Sequence, residues 1–220
     1  MAKLTMPLMS GEARGKMGGL IFNTWRGIAT CKKFASPTNP KTDSQSLIRS
    51  CISNSSRAWA TLTNAQREAW AEYAENHLRS DWTGRPKRIT AQNWYIACNV
   101  RLQLMKSSLL VNPPSIVAPS SVAELTVAKA SSPDTGINVS WYTPSTGTDK
   151  VAIYIAGPMS EGRKPTMNRA SIHKIAAATD YEMVPFSTLS TPGRYGIWAV
   201  TWDSTTGLAA VPVSVTFDLS

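Results

Sequence analysis

The chain has 220 residues, 42% of them hydrophobic, enough for a packed core, which excludes wholesale disorder. Its formal charge of +9 belongs to the first half: residues 1–110 carry 16 Lys+Arg against 6 Asp+Glu, residues 111–220 carry 7 against 8. Three irregularly spaced cysteines (Cys31, Cys51, Cys98) argue against a disulfide framework or zinc site, and no apolar run approaches the ~18–20 residues of a membrane-spanning helix.

The N-terminus, Met1 to Met9, lacks the apolar stretch and small-residue cleavage site of a signal peptide. In residues 1–19, Gly11, Gly15, Gly18 and Gly19 predict a flexible arm that orders only against another surface. Leu20-Ile21-Phe22 and Ile28 to Phe34 predict the strands of a β-hairpin, with Asn23-Thr24-Trp25-Arg26-Gly27 as its turn. Trp25 and Arg26 sit near the tip, and Lys32 and Lys33 make the second strand basic. Trp and Arg dominate interface hot spots, so this tip is a candidate contact; the alternative is Trp25 folded back on the protein's own core. Ser36-Pro37-Thr38-Asn39-Pro40 then breaks the chain.

Three helices follow. Thr42-Asp43-Ser44-Gln45 and Thr63-Asn64-Ala65-Gln66 are capping boxes, and Thr90-Ala91-Gln92-Asn93 is a weaker third. Apolar stripes run through Ile48, Cys51, Ile52, Trp59 and Leu62, through Ala69, Trp70, Tyr73 and Ala74, and through Ala91, Trp94, Tyr95, Cys98, Leu102 and Met105. Trp59, Leu62, Trp70, Tyr73 and Trp94 are the expected aromatic core, and Cys51 and Cys98 read as small buried hydrophobes in a reducing compartment. Between the second and third helices, residues 79–88 form a loop with four cations; Arg85, Lys87 and Arg88 are candidate contacts to phosphate or an acidic surface, or simply solvated. The expected layout is a flexible arm over 1–19, a hairpin and three-helix docking domain over 20–106, a proline-rich linker over 107–121 and a β domain over 122–220.

The β domain reads as about seven short strands in about 100 residues. The candidates are Glu124–Ala130, Gly136–Tyr142, Lys150–Ala156, Ala170–Ala177, Tyr181–Val184, Gly193–Thr201 and Leu208–Leu219. Alternation places Trp141 inward, and Tyr195 has the setting of a tyrosine corner. The Val139-Ser140-Trp141 strand, Tyr154, and the Tyr195 strand with its following turn resemble a fibronectin type III domain. That resemblance implies an immunoglobulin/fibronectin III-like sandwich and a habit of binding or spacing, with no activity attached. The fold class is then α+β.

No catalytic constellation emerges. His77 falls at a helix end, where it suits the dipole, and His173 in a strand; neither has ligand-spaced neighbours. Gly15-Lys16-Met17-Gly18-Gly19 lacks the Gly-Lys-Ser/Thr ending of a phosphate loop, and no Gly-x-Ser-x-Gly elbow appears. Glu68 and Glu72 lie one turn apart beside Arg67, a solvated arrangement. The expectation is a non-enzyme without cofactor or metal.

Two further resemblances bear on function. Trp59, Leu62, Thr63, Arg67, Trp70 and Ala74 are similar to the helical corner of a high-mobility-group box, which implies a DNA-binding architectural protein. More broadly, Gly15-Lys16-Met17-Gly18-Gly19, Trp25-Arg26-Gly27, Asn39-Pro40 with Thr42 and Gln45, Trp59 to Trp70, and Thr90 with Asn93 and Tyr95 occur in an order that resembles virion-type proteins of tailed phages and prophages. This implies a virion structural component made in the bacterial host cytoplasm, such as an accessory or decoration protein of the capsid or neck. Its implied partners are capsid, portal or neck proteins and copies of itself, with nucleic acid possible and no membrane.

Overall fold

The computed structural model describes residues 3–4, 13–25, 28–36, 38–39, 41–80, 85–129, 136–142, 149–160, 162–177, 181–185, 189 and 192–219. The chain divides into two compact units, Met1–Asp43 and Ser44–Ser220. Its described residues form a mixed α+β protein with three α-helices and several antiparallel sheets.

The first unit is an antiparallel sheet in the order β1 (Lys3–Leu4), β2 (Ala13–Met17), β3 (Leu20–Trp25), β4 (Ile28–Lys33). This corrects the expectation of a flexible arm over 1–19: Ala13–Met17 is a strand paired with β3. Gly18 and Gly19 form the turn between them, with Gly18 at φ 56°, a backbone that glycine adopts without strain. Gly18 and Gly19 are therefore turn chemistry, while Gly15 lies within β2 and Gly11 outside the described residues. The turn expected over 23–27 is also shorter, because Asn23 and Thr24 pair with Thr30 and Ala29, and Trp25 pairs with Ile28.

The second unit opens with α1 (Asp43–Ala60), α2 (Asn64–Asn76), a two-stranded ladder of β5 (Arg79–Ser80) and β6 (Pro86–Lys87), and α3 (Ala91–Leu104). The Thr63 capping box forms in full: its hydroxyl accepts from the Gln66 amide at 3.3 Å, and Gln66 Oε1 accepts from the Thr63 amide at 2.9 Å. Arg67 closes the corner by donating to the Ala60 carbonyl at 2.8 Å, one of the acceptors a helix end leaves open. Trp70 is wholly buried. Its ring meets Tyr73 and Tyr95 edge-on at 5.7 and 5.5 Å, and its indole N–H donates to the Val111 carbonyl at 2.8 Å. Trp59 and Trp94 pack only half-buried at the edge of this cluster, and Ile52, expected on the α1 stripe, is exposed.

Residues 107–121 do not run free as a spacer. Asn99, wholly buried on α3, exchanges two hydrogen bonds with Leu110: the Leu110 amide donates to Oδ1 at 2.7 Å, and Nδ2 donates to the Leu110 carbonyl at 3.2 Å. With Trp70 on Val111, these bonds tie Leu110 and Val111 to the helices. A buried amide needs partners, and the returning chain supplies them.

The remaining strands are β7 (Ala123–Lys129), β8 (Gly136–Tyr142), β9 (Lys150–Met159), β10 (Ser171–Ala177), β11 (Tyr181–Pro185), β12 (Gly193–Trp202) and β13 (Val213–Leu219), with a short 3-10 turn at Met167–Arg169. They build a three-stranded sheet, β11-β8-β7, and a four-stranded sheet, β10-β9-β12-β13. One core joins both sheets: Ile137, Val139 and Trp141 from β8 and Val184 from β11 meet Val151, Ile153 and Ile155 from β9 and Tyr195, Ile197 and Ala199 from β12. The other face of β9 and β12 is also covered. Ala152, Val200 and Trp202 cluster with Leu102 and Met105 of α3. A strand buried on both faces reads as a continuous apolar run, as Val151 to Ala156 does.

The loop after β12 locks the helices to this sheet. Arg101 donates to the Gly207 carbonyl at 2.8 Å, and Leu208 enters the Trp70–Tyr95 cluster. Gly207 has φ 67°, and a Cβ there would lie 2.3 Å from the Cys98 carbonyl oxygen, so only glycine fits. The last strand consequently starts at Val213 instead of Leu208, because Leu208 is committed to the helical cluster.

Candidate docking surface

The residues expected to meet a partner fall in both compact units. Trp25 is a β3 residue in register with Ile28, while Arg26 lies outside the described residues. Lys32 and Lys33 are exposed on β4, the last strand of its sheet. Arg85, Lys87 and Arg88 are exposed at the β5–β6 ladder of the second unit, where Lys87 pairs with Arg79; the expected loop is in part this ladder. The expected core residues Leu62, Trp70, Tyr73, Trp141 and Tyr195 are all buried, while Trp59 and Trp94 are half-buried.

Unlike the two sheets of the sandwich, the first sheet has no buried side chain among its described residues. Strand register sorts its residues onto two faces. Lys16, Ile21 and Lys32 lie across from one another on one face, with Arg14 and Thr30 sharing it. Lys16 Nζ stands 3.6 Å from the Phe34 ring centroid, a cation–π contact on a basic face. Met17, Leu20 and Lys33 lie across the other face, together with Phe22 and Cys31. Met17 and Leu20 are 42% and 43% exposed. Sequence reasoning assigned contact to the cations and the tip and missed this apolar row. Its signal was present in Met17-Gly18-Gly19-Leu20, a glycine turn flanked by two large hydrophobes. The edge strand β4 offers unpaired backbone groups as well, including exposed Ile28.

The interior groups of the second unit are chemically quiet. Burial pushes the Cys98 thiol up to about 11, so it stays protonated at neutral pH and is a poor nucleophile. Burial likewise raises the Tyr73 phenol to about 12, with Cys98 adding to it, and lowers the Arg101 guanidinium from its usual value. Among the described residues no group of three His, Cys, Asp or Glu is placed to hold a metal ion. No helix among them is long and apolar enough to cross a membrane.

No protein-family profile and no curated protein matches this sequence. Solved structures do match, among them the solution structure of the fibronectin type-III domain of human fibronectin type III domain containing protein 3. That match has 13% identity and a TM-score of 0.30, covering 49% of this chain and 93% of that one. A likeness of that size carries no functional weight.

Proposed function

We propose that this chain is a non-enzymatic structural protein of a bacteriophage particle, an accessory or decoration protein of the capsid or neck. It docks on an acidic protein surface through its N-terminal sheet. Residues 44–220 present a helix-backed β-sandwich of the fibronectin type III kind. Support for that finer fold comes from strands that cross repeatedly between the two sheets, β8 to β9, β10 to β11 and β11 to β12, as in Greek-key sandwiches.

The single observation that carries the docking is the uncovered N-terminal sheet. Small sheets gain independent stability from packing a hydrophobic face, and here no described side chain of either face is buried. Residues 1–43 hold seven Lys+Arg against two acids, Glu12 and Asp43, so the complementary surface is acidic. Apolar Met17 and Leu20 give the contact a desolvated centre, and Lys33 on the same face gives it a charged rim, while Lys32 belongs to the basic face opposite.

Mass spectrometry of purified particles tests the reading directly: the protein is expected in the particle, and its absence there sinks the idea. The alternative is a DNA-binding architectural protein whose basic first half contacts phosphates, with Arg85, Lys87 and Arg88 prominent. Trp70 is wholly buried, and Arg67 is bonded to Ala60, so the residues resembling a high-mobility-group box close the corner itself. Retardation of duplex DNA at about 50 mM salt, falling steeply as salt rises, would favour that alternative.

A further inference from the structure

We propose that the β-sandwich carries a second, separate site: a carboxylate-binding hollow for an acidic segment of a protein partner, formed by Arg163, Lys164 and Arg169. The hollow is open, has a volume of about 250 Å³, and is lined by Met159, Arg163, Lys164, Thr166 and Arg169. It rests on its own residues and stands whether or not the N-terminal sheet docks as proposed.

The local chain brings these side chains together. β9 ends at Met159, and the chain turns through Gly162 at φ 78°. The Arg163 amide donates to the Ser160 carbonyl at 3.2 Å, and the Arg169 amide to the Thr166 carbonyl at 3.0 Å. These two turns hold three cations, seven residues from first to last, around one space. Residues 111–220 contain only seven Lys+Arg, against eight acids, so nearly half of the cations of a neutral region converge here. Among the described residues no carboxylate lines the hollow and none is shown paired with the three cations. Glu161, the acid of this loop, lies outside the described residues. All three cations are exposed. Thr166 lines the hollow and makes no side-chain cap bond to the 3-10 turn that follows it.

Like charges held this close repel, and an anion in the hollow relieves that repulsion. Two guanidinium forks match carboxylates in planar, paired hydrogen bonds, and Lys164 adds a point charge. Met159 and the aliphatic stems of the cations supply apolar wall for the methylenes of a Glu side chain. Nucleic acid fits less well: no aromatic side chain lines the hollow, so bases have no stacking platform. Three clustered charges also make a spot where a phosphate backbone needs a track.

The test uses the full chain and a fluorescent hexaglutamate peptide, read by anisotropy, with duplex DNA as a second probe. Saturable peptide binding that weakens with added salt is expected. Replacing Arg163→Gln, Lys164→Gln and Arg169→Gln together should weaken it by about tenfold or more. The denaturation midpoint should hold, because all three side chains are exposed. A control triple, Lys16→Gln, Lys32→Gln and Lys33→Gln, should leave at least part of the peptide affinity intact, which separates this site from the N-terminal sheet. Peptide binding that is absent, or unchanged by the first triple, overturns the proposal. DNA binding lost on the same substitutions, with no peptide binding, overturns it in favour of nucleic acid.

Discussion

The two compact units of this chain use the same elements of polypeptide physics to opposite ends. Ser44–Ser220 buries Trp70, Tyr95, Tyr195 and Trp202 almost completely, on both faces of its central strands. Met1–Asp43 forms ladders that are just as regular, yet none of its described side chains is buried. Backbone hydrogen bonds each contribute only about 1 kcal/mol net, while ordering a residue costs about 1–2 kcal/mol. A ladder without a buried face is therefore poorly stabilised by its own contacts. One unit is stabilised by its own interior, while the other has no buried side chain among its described residues.

The sharpest way to break that contrast is at Trp70. Trp70→Ala removes a wholly buried ring, two edge-on aromatic contacts and the bond to Val111, and should cost about 3–5 kcal/mol in chemical denaturation. A loss below about 1 kcal/mol would mean the helical cluster is not the core described here. Next comes Gly207→Ala. The left-handed backbone alone should cost about 1–3 kcal/mol, and the clash with the Cys98 carbonyl adds to it. If helices and sandwich are one cooperative unit, near- and far-ultraviolet transitions of the wild type should coincide, and this variant should be the first to separate them.

A smaller effect should follow pH. Burial of Asp203 would raise its carboxyl, but hydrogen bonds from Thr205 and Thr206 outweigh this and hold it below the ordinary value of 3.8. A depressed carboxylate stabilises the fold above that ordinary value, and the contribution disappears as pH falls through the folded one. Denaturation midpoints taken from pH 5 downward should therefore fall below about pH 4, and Asp203→Asn should flatten that part of the curve. The smallest effect is expected in the first unit. Met17→Ala with Leu20→Ala, or removal of residues 1–43, should move the stability of residues 44–220 by no more than about 0.5 kcal/mol. The same double substitution should lower the amount of protein retained on particles, and unchanged retention would remove the apolar row from the proposed contact.

Much of the second unit was legible because its signals are local. Thr63 and Gln66 state a helix start within four residues, and alternation in Gly136–Tyr142 places Trp141 inward without reference to any other strand. The candidate surface was less legible. Lys32 and Lys33 stand out as charges in the sequence, but Met17 and Leu20 look like ordinary hydrophobes until register sets them side by side on one face, both exposed. Arg163, Lys164 and Arg169 passed unnoticed for a related reason: their spacing means little before a turn at Gly162 and another at Thr166 bring them around one hollow.

By itself the sequence determined where the three helices run, the approximate seven-strand pattern of the C-terminal region and the basic character of the first half, all properties of periodicity, capping and composition. Tertiary structure alone decided that Leu110 and Val111 are tied to the helices, that Leu208 completes an aromatic cluster begun more than a hundred residues earlier, and that Ala13–Met17 is a strand followed by a turn at Gly18 and Gly19. These depend on which buried polar group needs a partner and which apolar face needs a cover. Such needs arise only when distant parts of the chain are brought together, and no local pattern records them.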